Sequence, residues 1–328
     1  MARRRAAPRG CLYAVLLAGV VAVAIGWFLY GWYGAGPLPR DQSFVVPRGA
    51  SLFTIADKLE KEGAIRSASA FRLRAKVLSG GGELKAGEFL LPKGASSARV
   101  LAIVESSDFL NRLVTVPEGM PAIMVYERLK AQDQLIGDVT VPAEGSVLPD
   151  SYGFERGESR QAVLARMQGA MKRTLAELWP KRASGIAVST PEQALVLASI
   201  VEKETGKPSE RPMVAGLYSN RLRQGMRLQA DPTIIYPITR GKPLGRRILH
   251  SEIVAVNGYN TYAMTGLPKG PITNPSRASI EAVLNPAKTK ALYMVADGTG
   301  GHAFAATLDE HNRNVAKWFA IRRKRGEI

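Results

Sequence analysis

Cysteine is almost missing from this chain: Cys11 is the single one among 328 residues. One thiol cannot build a disulfide framework, and a metal site made of thiolates is excluded. Histidine is scarce too. His250, His302 and His311 are dispersed and not at ligand spacing, so no zinc site and no cofactor are expected. Acidic residues are in deficit, 28 against 45 Lys and Arg, which leaves a net charge of +17. Charge of either sign is absent from Cys11 to Tyr30, "CLYAVLLAGVVAVAIGWFLY".

That uncharged stretch has the length of one bilayer crossing. Arg3, Arg4, Arg5 and Arg9 precede it and no charge follows until Arg40, so the N-terminus is expected in the cytoplasm and the rest outside. Trp27, Tyr30, Trp32 and Tyr33 gather where an interfacial aromatic belt belongs. A cleaved signal peptide is the competing reading, but its apolar region is ordinarily about 7–15 residues long. With the basic bulk facing away from the cytoplasm, nucleic acid is not an expected partner. An anionic wall polymer or lipid surface fits the charge better.

Three short segments resemble one another: "FVVPRG" from Phe44, "FLLPKG" from Phe89 and "VTVPEG" from Val114. Each reads as a strand, a Pro-x-Gly turn and then a helix, with Leu59 of the first unit matching Leu129 of the third. Such units resemble LysM modules, which bind N-acetylglucosamine polymers. "PAEGSVLPDSYGFERG", Pro142 to Gly157, is rich in turn formers and reads as a hinge or boundary. After it, Val163, Met167, Met171, Leu175 and Leu178 recur at helical spacing until Pro180.

The stretch "LVLASIVEKETGKPSERP" from Leu195 carries two glutamates near a helix end. Thr190, Pro191 and Gln193 mark the start, and Gly206 and Pro208 the stop. At roughly 100° per residue, Leu197, Ile200, Val201 and Glu204 share one sector, whereas Glu202 points about 160° from Glu204. Burial and the negative end of the helix dipole both disfavour a carboxylate at Glu204, raising its pKa and suiting it to general-acid work on a glycosidic oxygen. The plainer alternative pairs Glu204 with a buried arginine such as Arg221. Glu202 reads as a surface or ion-pairing residue, with Lys203 or Lys207 as partner.

"LASIVEKET", "LYSNRLRQGMRLQADPTIIY", "YNTYAMTGLPKGPITNP" and "LYMVADGTGGHAF" follow one another in the order and spacing of the endolytic murein transglycosylases. The chain resembles this YceG-like family from about Phe44 to Trp318. The resemblance implies an α+β protein with an N-terminal transmembrane helix, LysM-like modules and a lysozyme-like mixed α+β catalytic domain. It implies a tail over 1–10, a membrane helix over 11–30, a linker over 31–43, the LysM-like region over 44–150 and the catalytic domain over 151–328. The implied activity is cleavage of the MurNAc–GlcNAc β-1,4 bond inside nascent glycan strands of peptidoglycan, leaving 1,6-anhydro ends, at the inner membrane with the catalytic domain in the periplasm. The family's catalytic glutamate maps to Glu204, with Thr205 beside it, and Glu202, part of the same motif, stands as a candidate support that orients the site. Peptidoglycan synthases stand as candidate partners.

Supporting roles follow with less support from the residues themselves. Ser209 reads as the cap of the next helix, on which Val214, Leu217, Tyr218 and Leu222 form the buried face, with Asn220 and Arg221 beside it as supports of the carboxyl or of buried backbone. Pro232 is expected to hold Asp231 extended, which would align Gln229, Asp231 and Thr233 as a sugar-binding floor. Asn260, Thr261 and Tyr262 lie in a Gly- and Pro-rich loop suited to sugar recognition or to turn architecture. His302 opens the second strand of a hairpin, and "AKWFAIRRKRG" reads as a solvated basic helix. A non-catalytic, membrane-tethered glycan-binding scaffold is the alternative function.

Overall fold

The structure, a computed structural model, describes residues 9–110 and 112–328. Arg3, Arg4 and Arg5 lie outside the described residues, as do the side chains of Arg9 and Cys11. The chain divides into two compact units, the second beginning at Leu113. Both mix helices with short two-stranded sheets, the α+β class expected.

The first unit runs through α1 (Arg9–Tyr33), β1 (Gln42–Val46), α2 (Leu52–Lys61), α3 (Ala68–Leu78), β2 (Gly87–Leu91) and α4 (Ser97–Glu105). β1 and β2 pair antiparallel with Phe44 opposite Phe89, and both rings are fully buried. Ser51, Ser67 and Ser96 cap α2, α3 and α4, each accepting the backbone N–H of the third helical residue. α1 carries an apolar run from Tyr13 to Tyr33, long enough to cross a membrane. The helix outlasts the stretch expected to end at Tyr30, and residues 31–43 are no free linker. Trp32 and Leu38 belong to the buried core, and Gly94 N–H donates to the Leu38 carbonyl at 3.0 Å.

β3 (Arg112–Thr115) leads into the second unit, followed by α5 (Ala122–Lys130), β4 (Ser151–Phe154), α6 (Arg160–Leu178) and α7 (Pro191–Glu204). Then come α8 (Arg211–Arg223), α9 (Pro232–Thr239), α10 (His250–Ile253), α11 (Arg277–Leu284), β5 (Tyr293–Ala296), β6 (His302–Ala305) and α12 (Leu308–Lys324). All three repeated segments thus form a strand, a turn and a helix, but the third sits in the second unit, so no unit boundary falls near 150. Val147 and Phe154, from the turn-rich stretch, are buried beside Val114, Leu129 and Met167 in one core cluster. Pro121 holds the cap position of α5 and has no capping side chain; Glu144 supplies one, its Oε1 accepting the Ala122 N–H at 2.8 Å. Burial raises that carboxyl to about 7, against the lowering effect of its bonds from Ala122, Tyr236 and Gly145.

α7 is the core helix of this unit. Thr190 caps it through the Gln193 N–H, and every residue from Val196 to Val201 is buried. The Gln193 side chain reaches back to Ser189 N–H, one residue before the cap, at 2.8 Å. Ala194 and Ala198 let neighbouring helices approach, and α8, α9 and α11 surround it. Ser199, fully buried, accepts the Ile272 N–H and donates to the Val196 carbonyl, which ties the long loop before α11 to the middle of α7.

Candidate active site

α7 ends at Glu204 and its C-cap Thr205 turns to extended backbone at φ −136°, ψ 128°. That exit turn is held by side chains. Thr205 Oγ1 accepts the Lys207 N–H at 3.0 Å and donates to Glu210 Oε2 at 3.1 Å. Glu210 in turn accepts the His302 N–H at 2.9 Å and meets His302 Nδ1 at 2.8 Å, so the end of α7 is fastened to the β5–β6 hairpin.

Between them lies a cleft of about 370 Å³ into which Glu204, Tyr218, Arg221, Gln229, Asp231, Tyr262 and His302 face. The residue Glu204 keeps some exposure, yet its Oε1 is enclosed and meets no hydrogen-bond partner. Desolvation by burial pushes its carboxyl up to about 7, and the charge of Asp231 pushes the same way; the Tyr218 hydroxyl and the Arg221 guanidinium oppose them. Such a group is half protonated near neutrality, the condition in which one side chain gives and takes a proton with equal ease. Tyr218, buried on α8, stays a hydroxyl because burial and the neighbouring carboxyl raise its own pKa far above the ordinary tyrosine value.

The simple pairing of Glu204 with Arg221 is not what the structure holds. Arg221 spends its donors on carbonyls: Nε on Leu292 at 2.6 Å and Nη1 on Leu228 at 2.7 Å, with the guanidinium 5.5 Å from the Tyr293 ring centroid. Asn220 does likewise, its Nδ2 donating to the Thr289 and Ala291 carbonyls at 2.9 Å and 3.1 Å. Both therefore shape the cleft wall by fixing the run into β5.

Glu202 also departs from expectation. Its side chain is only 4% exposed, and its partner is neither Lys203 nor Lys207. Glu202 Oε2 accepts the Ser276 N–H and hydroxyl at 2.8 Å and 2.6 Å, and Oε1 lies 3.2 Å from Arg211 Nη2. Arg211 reaches on to Glu118 at 2.6 Å. The pointing direction read from the helical wheel holds, but that face looks into protein, since α11 and its leading loop cover it.

The stretch around Asp231 is not extended. Asp231 has helical backbone, φ −53° and ψ −39°, and its carbonyl accepts the Ile234 N–H at 2.9 Å to open α9. Gln229 takes the left-handed φ of 54°, a strained conformation for a residue with a side chain. The turn keeps Gln229 and Asp231 on the cleft, where Asp231 accepts the Tyr262 hydroxyl at 2.6 Å, but sends Thr233 inward. Thr233, Asn260 and Thr261 are fully buried. Thr233 and Thr261 hydroxyls lie 2.8 Å apart, and Asn260 Nδ2 donates to the Ile253 and Ala255 carbonyls at 2.9 Å and 2.7 Å. These three form the inner frame of the loops, and Tyr262 is the member that reaches the cleft.

Ser209 is not the cap of α8; a short 3-10 turn over Pro208–Glu210 precedes it, and Glu210 occupies the cap position while serving His302. Glu210, the hydroxyl of Tyr218 and the stretch Met294 to Ala296 are site features that the sequence reading missed. A "GLYSN" tyrosine at helical spacing looks like core, and nothing local announces that its hydroxyl meets a carboxyl. Among the described residues no group of three or more His, Cys, Asp or Glu side chains gathers as metal ligands would.

Comparison with known proteins places these features in company. The model of the YceG-like family matches residues 44–317. A Bacillus subtilis protein named endolytic murein transglycosylase is 28% identical over 336 residues, covering 92% of each chain. A Streptococcus pneumoniae D39 protein of the same name is 28% identical over 348 residues; the match takes in 89% of this chain and 62% of that longer one. A crystal structure of a yceG-like protein from Listeria monocytogenes is similar at a TM-score of 0.53 and 26% identity, over 84% of this chain and 98% of that one.

Proposed function

The chain belongs to the YceG-like family, and from that premise we propose that it is a membrane-anchored endolytic peptidoglycan lytic transglycosylase. The observation that carries the proposal is the Glu204 carboxyl, enclosed at the cleft and raised to about 7 chiefly by burial. The names of the B. subtilis and S. pneumoniae relatives supply the substrate class and the endolytic mode.

In the proposed reaction Glu204 gives its proton to the glycosidic oxygen as the bond from MurNAc C1 breaks. The resulting carboxylate then takes the proton of the MurNAc C6 hydroxyl, whose oxygen closes on C1. The proton is returned, no water enters, and a 1,6-anhydro end is left. Asp231 and Tyr262 on one side and His302 on the other are the assigned sugar contacts, with Gln229 beside them. Asn220 and Arg221 set the wall, and Thr233, Asn260 and Thr261 brace the loops from behind.

The first unit supports a glycan-binding role of LysM-like kind, since β1, α2, α3 and β2 make a helical pair flanked by two paired strands. α1 supports a single-pass inner-membrane anchor with the N-terminus in the cytoplasm and the catalytic unit in the periplasm. The test is incubation of the full chain, held in detergent, with uncrosslinked glycan strands. Internal cuts ending in 1,6-anhydro sugars, abolished by Glu204→Gln, are expected. Strands left intact although bound would turn the proposal over to the scaffold alternative, and reducing ends made by water would make the protein a hydrolase with Asp231 as second carboxylate.

A further inference from the structure

Near the C-terminal end of α1, an arginine from another helix of the first unit is locked against it. Arg74 of α3 donates through Nε to the Phe28 carbonyl at 3.0 Å, and its guanidinium carbon lies 5.6 Å and 5.4 Å from the Trp27 and Phe28 ring centroids. Gly31 makes room for it, since a Cβ there would collide with the guanidinium. One turn further, Trp32 is buried against Phe71, centroids 5.6 Å apart. The packing fixes the height of Arg74 on α1: from Phe28 onward the helix has protein on one side, and before Trp27 it is exposed all round from Tyr13.

Beside Arg74 opens a pocket of about 320 Å³, whose side-chain lining includes Trp27, Tyr30, Arg66, Ser67, Arg74 and Ser97. Ser67 caps α3 and Ser97 is the first residue of α4, so the positive ends of two helices of 11 and 9 residues turn toward it. Among the described residues, neither Arg66 nor Arg74 has a carboxylate partner. The Arg66 guanidinium and the Nη groups of Arg74, without a carboxylate to neutralise them, stand beside a rim of indole and phenol and make a cavity for an anion, and its position at the end of the apolar run sets which anion arrives there. At the edge of a hydrocarbon layer the abundant fixed anion is the phosphate of a lipid, which guanidinium grips through paired N–H donors.

We propose that this pocket binds the phosphate of an anionic phospholipid headgroup in the leaflet where α1 emerges, with Arg66 and Arg74 as its charged contacts. The proposal rests on the reading of α1 as bilayer-spanning. One lipid held there would fix the rotation of the first unit about α1 and hold its face to the membrane plane.

The test uses the full chain in nanodiscs of mixed phosphatidylglycerol and phosphatidylcholine, with native mass spectrometry of the lipid kept on the released protein. Wild type is expected to retain one phosphatidylglycerol in preference to phosphatidylcholine. Arg66→Gln, at an exposed position, and Arg74→Gln are each expected to lower retention roughly tenfold, as the loss of one charge-assisted contact implies. Thermal unfolding checks that Arg74→Gln is folded, and Arg66→Gln carries the test if it is not. Retention unchanged in Arg66→Gln, or equal for the two lipids, overturns the pocket alone. Displacement of the lipid by excess inorganic phosphate assigns the cavity to the free ion and overturns the lipid source. A chain that never enters the discs sinks the spanning reading with it, so the failures are distinguishable.

Discussion

Glu204 sits between neighbours that pull in opposite directions, and each can be removed singly. Burial and the Asp231 charge hold the proton on; the Tyr218 hydroxyl and Arg221 favour its loss. For a group that must start protonated, kcat/KM falls as pH rises through its pKa, so the alkaline limb is expected near pH 7. Asp231→Asn removes a raising influence and moves that limb to lower pH, whereas Tyr218→Phe removes a lowering one and moves it up. A pH–rate series on the two variants checks this; shifts of the same sign would mean that another group titrates. As a candidate, Glu204 is legible in the sequence through its place on the apolar stripe together with the motif shared with the family; the stripe alone misplaced Glu202, only 4% exposed, at the surface. Its hydroxyl partner is not, because Tyr218 sits at an apolar position and its meeting with α7 is made by tertiary packing.

Elements were easier to read than their contacts. The cap at Thr190 and the stop at Pro180 are written in neighbouring residues, and the structure places the helix ends there. Asp231 shows the opposite case: Pro232 disfavours helical backbone before it, yet its carbonyl bond to Ile234 and the Tyr262 hydroxyl together outweigh that preference. Glu202 shows that a helix face opposite the apolar stripe can be interior when a second element covers it. Its pairing with Arg211 joins α7 to α8 and, through Glu118, to the turn before α5. Gly119 in that turn needs its φ of 69°, and its N–H donates to Asn274. Arg211→Ala leaves the Glu202 carboxylate enclosed without its cation and is expected to cost about 3 kcal/mol in denaturant unfolding. Adding Glu202→Gln should restore part of that loss. Additive losses in the double variant would show that the two side chains do not act as a pair.

At the scale of the whole molecule, the excess of 17 positive charges is partly an internal resource. Arg160 donates to the Leu129, Gly137 and Gln132 carbonyls, and Arg221 to those of Leu228 and Leu292, so these cations staple loops and offer no stripe to a polyanion. A reporter fused after Ile328 tests which side of the membrane the chain occupies: alkaline phosphatase there is expected to be active, and an active cytoplasmic reporter would reverse the orientation. The burial of Trp32 bears on how the protein is processed in the cell. A leader that is clipped away contributes nothing to the mature product, but this helix donates an indole to the folded body. Cleavage at Gly34 is expected to leave a hole where Trp32 sits and to cost about 3–5 kcal/mol, so a chain begun there should unfold at lower denaturant than the full chain.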